Sequence, residues 1–297
     1  MNELLNTKKV ARYLGINEKK VYYLAKAGKL PCTRITGKWV FPKKLVDEWI
    51  EESSRGANRN IKDERQLLLG AGSDDPSLGI LRDLYASRRP PALLFMATLG
   101  SSGGLAAIRD GAADFAFSHL LDAASGNYNL SFIEKTIPSG AAVVSLFKRE
   151  LGLLTPPGNP LGLRTLSDLA HRGVRMINRQ PGSGTRYYLD QEFARLGLGT
   201  GVIGGYEDSV ATHLEVALKI FRREADAGIA TRAAARLIDL DFIPLTEERF
   251  DIVVAKERFF SPGIKTFLDT VASRDFRSRV EALGGYDASD AGRIASN

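Results

Sequence analysis

Residues 4–50 read LLNTKKVARYLGINEKKVYYLAKAGKLPCTRITGKWVFPKKLVDEWI, and the spacing of their apolar positions changes from helical to alternating and back. Asn6 or Thr7 can cap a helix over residues 8–14, with Val10, Ala11 and Leu14 on one face. Gly15 stops it. Asn17 caps a second helix over residues 18–27, which turns Val21, Leu24 and Ala25 inward and ends at Gly28. Residues 33–35 and 38–41 alternate about Thr36-Gly37, which predicts a tight hairpin. Pro42 then opens a third predicted helix over residues 43–52, with Leu45, Val46, Trp49 and Ile50 on one face. Two short helices joined by a glycine turn make a helix-turn-helix. Trp39 and Trp49 read as core.

The chain has 297 residues and a formal net charge of +6, unevenly spread. Residues 1–66 hold 15 Lys/Arg against 8 Asp/Glu, a net of +7. Residues 67–297 hold 26 against 27, a net of −1. A small basic module on a near-neutral body suggests a polyanion partner for that module. A single cysteine, Cys32, excludes an internal disulfide or a cysteine-based metal cluster, and no metal-ligand spacing is present. The first residues carry no apolar signal-peptide core, and no apolar run is long enough to span a membrane, so a cytoplasmic protein is expected.

The basic module resembles the excisionase or MerR-like winged helix-turn-helix. The resemblance rests on T-x-x-x-A-x-x-L-G from Thr7, V-Y-x-L-x-x-x-G-x-L-P from Val21, R-x-x-G-x-W-x-F from Arg34 and D-x-W-I from Asp47. It implies that the second helix enters the major groove of double-stranded DNA with Asn17, Lys19, Lys20, Tyr22, Tyr23 and Lys26, while Arg34 and Lys38 on the wing touch the backbone or minor groove. Such heads read two half-sites as pairs, so a homodimer is expected.

Residues 54–65 include SRGANRN, small, polar and without apolar periodicity, and read as a linker between a head of residues 1–53 and a second domain of residues 66–297. In that domain short apolar runs alternate with helical stretches. Strands are expected at 67–70, 93–98, 114–118, 143–148, 174–177, 226–230 and 252–254, with another at Ile137. Helices are expected at 76–87, 102–109, 166–170, 185–196, 214–221, 264–272 and 276–282. This order predicts an α/β fold with a parallel sheet between helices. Three strands run into small-residue turns that open helices, at Gly72-Ser73-Asp74-Asp75-Pro76, Gly100-Ser101-Ser102-Gly103 and Pro181-Gly182-Ser183-Gly184-Thr185. Free backbone N–H groups at helix starts bind anions, so three such turns converging on a cleft would make an oxyanion site without counter-cations.

The second domain resembles type II periplasmic-binding-protein domains, and among them the cytoplasmic regulatory domains related to molybdate and tungstate binders. The stretches that carry this are GSDDPSL (72–78), GSSGGLAAIRDGAADFAFSHL (100–120), PPGNPLGLRTLSDL (156–169), NRQPGSGTR (178–186) and HLEVALKIFRREADAGIAT (213–231). The resemblance implies two lobes around a ligand cleft, with Ser73, Ser101, Ser102, Ser183 and Thr185 as hydroxyl contacts. It implies that Arg186 pairs with an anion or with Asp226, and that Asp114 and Asp226 are structural or hinge acids. Each serine is also a plausible helix cap. Asp74 and Asp75 speak for capping or for a cationic group on the ligand.

Gly100-Ser101-Ser102-Gly103-Gly104 formally matches the G-x-S-x-G of a nucleophile elbow. The histidines are His119, His171 and His213, none in the late position a hydrolase triad requires, and no phosphate-binding G-x-x-x-x-G-K-[ST] occurs. The sequence therefore points to a non-enzymatic, ligand-responsive DNA-binding regulator without cofactor, whose small-molecule effector is first a molybdate or tungstate oxyanion. The same regulator sensing a small organic molecule, or an excisionase-like architectural protein, are the alternatives.

Overall fold

The computed structural model describes residues 3–55, 67–88, 92–122, 125–171 and 173–295. Its contacts divide the chain into two units, Met1–Glu64 and Arg65–Asn297.

The head opens with strand β1 (Leu4–Asn6), helix α1 (Thr7–Leu14) and helix α2 (Glu18–Lys26), followed by β2 (Thr33–Ile35), β3 (Lys38–Pro42) and α3 (Lys43–Arg55). Asn6 caps α1 by accepting from the Lys9 N–H, and Asn17 caps α2 by accepting from the Lys20 N–H. Gly15 ends α1 in the left-handed conformation. β1, β3 and β2 form an antiparallel sheet in that order. β1 lacks any alternation signal of its own, yet Leu5 is buried beside Val10, Val21, Phe41 and Val46. Pro42, expected as the first helical residue, is the last residue of β3 and pairs with Leu4. Trp39 and Trp49 pack partly buried against this core. Helix α3 includes residues 54 and 55 of the expected linker; residues 56–65 of that linker, and Gln66, lie outside the described residues.

The second unit continues with β4 (Leu67–Gly72), α4 (Leu78–Arg88), β5 (Leu93–Thr98), α5 (Gly100–Arg109), β6 (Phe115–Ser118), α6 (Leu130–Thr136) and the long β7 (Ala141–Thr155). After a 3₁₀ turn (Leu166–Ala170) come β8 (Met176–Arg179), α7 (Gly184–Arg195), β9 (Ser209–Val210), α8 (His213–Phe221), β10 (Ala227–Thr231) and α9 (Arg232–Ile238). The second long strand, β11 (Asp241–Ala255), precedes α10 (Pro262–Val271), α11 (Arg274–Ala282) and β12 (Tyr286–Asp287). Ile137, expected in a strand, instead follows α6 as its C-terminal cap.

Among the described residues nine strands form one sheet, in the order β5-β4-β6-β11-β7-β10-β8-β9, with β12 joined to β7. The sheet is mixed rather than parallel. β5, β4 and β6 run parallel at one end and β10, β8 and β9 at the other, while β7 and β11 pair antiparallel with each other. These two 15-residue strands cross between lobes. In the first lobe Val144, Leu146, Phe250 and Ile252 pack with α4, α10 and α11 on one face, and Val143 and Val253 pack with α5 and α6 on the other. In the second lobe Leu151 and Leu153 face α7, and Leu154 faces α8 and α9. Each lobe is thus a sheet between two helical layers with its own apolar core.

Candidate ligand-binding site and nucleic-acid interface

The three helix-opening turns meet. Ser73 Oγ lies 2.8 Å from Ser101 Oγ, and Ser101 Oγ accepts from the His119 N–H at 3.2 Å. The Ser102 N–H donates to Gly182 O at 3.2 Å, which bridges the two lobes. The approach demands glycine. At Gly100 (φ 72°) a Cβ would lie 2.9 Å from Gly182 O, and at Gly104 it would lie 2.7 Å from the Gly72 Cα. Ser183 caps α7 through the Arg186 N–H, Ser102 is exposed, and the buried Thr185 Oγ1 has no partner among the described residues.

Two expected contacts lie elsewhere. Arg186 pairs with Asp190 at 3.0 Å and stacks on the Tyr206 ring at 4.0 Å. Asp226 takes a two-oxygen grip from Arg175 at 3.0–3.1 Å, at the start of β10. Asp114 has the structural part expected of it, accepting from the Leu69 N–H and pairing with Arg258.

The turns were expected to need no counter-cations, and the structure adds two buried guanidinium groups that the sequence reading did not name. Arg149 sits on β7 opposite Glu248 on β11, where the long strands cross between lobes. Its Nε and Nη2 donate to Glu248 at 2.7 and 2.6 Å, and its Nη1 donates to Asp75 at 2.5 Å. His119 Nδ1 lies 2.9 Å from the other Glu248 oxygen, and the Tyr286 hydroxyl donates to Asp75 at 2.9 Å. Burial alone would raise Glu248, but His119 and Arg149 bring it down to about 2. Burial lowers His119 despite Glu248. The network saturates Arg149, which is the condition for holding a charge inside a protein.

Arg179 is different. It ends β8, is 1% exposed, and spends Nη2 on the Ala211 carbonyl at 2.7 Å. Its Nη1 has no partner among the described residues, and burial pushes it down to about 10 while Asp74 opposes the shift. His213, the first residue of α8, is fully buried, and neither ring nitrogen has a partner among the described residues. Burial raises the Asp74 carboxyl above its ordinary range, against the pull of Arg179, Arg149 and the His213 backbone N–H. The sequence carried a signal for Arg179, a charge at the end of an apolar strand run, where ligands of open α/β sheets bind.

On the head, Lys19, Lys20, Tyr22, Tyr23, Lys26, Arg34 and Lys38 are all exposed. Asn17 is exposed as well, but its Oδ1 is committed to the cap of α2. Lys20 lies over the Tyr23 ring at 5.1 Å, and Arg34 reaches the Gly37 carbonyl and lies over Trp39. The face therefore offers cations on an aromatic base, suited to phosphates. Among the described residues no helix is long and apolar enough to cross a membrane.

Residues 4–54 match the helix-turn-helix domain family, and residues 82–272 match the PBP superfamily domain. An uncharacterised Bacillus subtilis (strain 168) protein, YvgK, is 27% identical over 96% of this chain and 95% of its own. An uncharacterised Clostridium pasteurianum protein from the 5′ region of a 2Fe-2S ferredoxin gene is 36% identical over 36% of this chain and 96% of its own. A Clostridium perfringens phosphate ABC transporter substrate-binding protein with bound phosphate superposes with a TM-score of 0.57 at 13% identity, over 73% of this chain and 97% of its own. An ABC-type phosphate transport receptor from Vibrio cholerae gives 0.51 at 15% identity, over 74% and 98%. These two share the two-lobed fold. The chain belongs to the PBP superfamily domain family, and it carries that domain behind a helix-turn-helix domain.

Proposed function

We propose that this protein is a ligand-responsive DNA-binding regulator that holds a small anion between the lobes of its second domain. The observation that carries the reading is the buried guanidinium of Arg179, whose Nη1 has no partner among the described residues, together with the buried Thr185 and His213, in a chain headed by a helix-turn-helix. A guanidinium without a carboxylate on it is a ready anion partner. The ligand acts by favouring one arrangement of the lobes over another, and so biases how paired heads meet their operator. A homodimer supplies the pair. Molybdate and tungstate, expected from the sequence, are tried beside phosphate and carboxylates, which the buried cation also suits. A binding rather than a catalytic role is supported by His119, whose ring engages Glu248 and Arg149 instead of a serine.

The test is fluorescence anisotropy of the full-length protein on a duplex selected from random-sequence DNA, with and without each anion. Specific binding that shifts with one anion is expected. Failure to retain any duplex over competitor DNA would sink the regulator reading.

A further inference from the structure

We propose that the ligand of this cleft is an anion that also donates a hydrogen bond through an O–H or N–H group, and that His213 and Asp74 select it. The proposal rests on the cleft-ligand reading above and adds the ligand's chemical class.

Among the described residues, the buried second-lobe polar atoms without a partner include Arg179 Nη1, Thr185 Oγ1 and both nitrogens of His213. Arg179 donates only, and a hydroxyl can do either. His213 decides the matter. Burial and the neighbouring Arg179, Arg149 and His119 push its imidazole well below the ordinary range, so it is neutral at pH 7. A neutral imidazole has one N–H and one bare nitrogen. The N–H takes an acceptor, such as an anionic oxygen. The bare nitrogen takes only a donor, and a buried polar atom left without its partner is costly.

Asp74 makes the same demand from the first lobe. Its carboxylate faces Arg179 and the backbone N–H of His213 from the second lobe. An anion whose oxygens carry no proton meets Asp74 as a like charge. An anion with an O–H or N–H can donate to it. Formal charge agrees: Arg149 and Arg179 supply two positive charges, while Asp74, Asp75 and Glu248 supply three negative ones. A surround of this sign disfavours an aprotic dianion and favours a ligand that brings a hydrogen with its charge.

The experiment is calorimetric titration and thermal shift of the full-length protein at pH 7 and constant ionic strength. Phosphate, which carries one or two protons, is set against sulfate and molybdate, which carry none. An equimolar mixture of the twenty amino acids is set against acetate. A donor-bearing arm is expected to bind at least about 10-fold tighter than its aprotic counterpart. Asp74→Asn and His213→Phe are expected to bring that preference toward unity, and the partly exposed Asp74→Asn keeps the test open if His213→Phe does not fold. Sulfate, molybdate or acetate binding as tightly as its partner arm overturns the proposal while leaving a cleft ligand standing. A preference unchanged in a folded variant overturns the assignment to that residue. No binding in any arm overturns the proposal together with the cleft-ligand reading.

Discussion

At the scale of residues, stability and function pull apart at Arg179. Its guanidinium is buried and only partly satisfied, so its charge is costly to the folded state. Arg179→Met is expected to lower anion affinity at least ~10-fold. The same variant should melt at or above the wild-type temperature without ligand, read by thermal shift with and without the responding anion. A fall in ligand-free melting temperature by several degrees would mean that the group serves structure instead. Ser73, Ser101 and Ser183 were legible as members of strand-to-helix turns, and Ser183 takes the helix-cap role that the sequence also allowed. Arg149, Asp75 and Glu248 were not. Their burial follows from mutual pairing across more than 70 residues of chain, which no local pattern records. His213 was legible as a helix start and illegible as a buried imidazole.

The elements of the head were read nearly to their ends, because caps and glycine stops fix short helices locally. What escaped were elements defined by partners: three-residue β1, which exists by pairing with β3, and the crossing strands β7 and β11, whose polar centres interrupt the apolar run. Helix α2 carries its own prediction. Lys19 and Lys20 are exposed in its first turn, and neither forms an ion pair among those seen in the head. Replacing either with Ala is expected to weaken duplex binding alike for all sequences and to reduce the salt slope by about one. Anisotropy titrations across a salt series check this. A change confined to one base position would show that the lysine reads a base edge.

For the whole molecule, separate cores in the two contact units predict separable activities. A fragment of residues 65–297 is expected to keep the anion-induced thermal shift and to lose duplex binding altogether. If that fragment binds DNA, the basic face of the head is not the contact surface. The α/β class was legible from the alternation of short apolar runs and helices, and the two lobes from the resemblance to type II periplasmic-binding-protein domains. The mixed direction of the sheet was not, since antiparallel pairing of β7 with β11 joins residues about 100 positions apart.

The first lobe is discontinuous: it is made of residues before the crossing at Arg149 and of residues from Glu248 onward, closed by β12 on β7 and by Tyr286 on Asp75. The second lobe lies uninterrupted between those crossings. On the ribosome, therefore, the second lobe can condense while the first is still missing strands. Asp75, emerging early, waits for Glu248 and Tyr286 to be synthesised before the charge it shares with Arg149 is fully neutralised. The order of translation thus makes the hinge the last part of the second unit to become native.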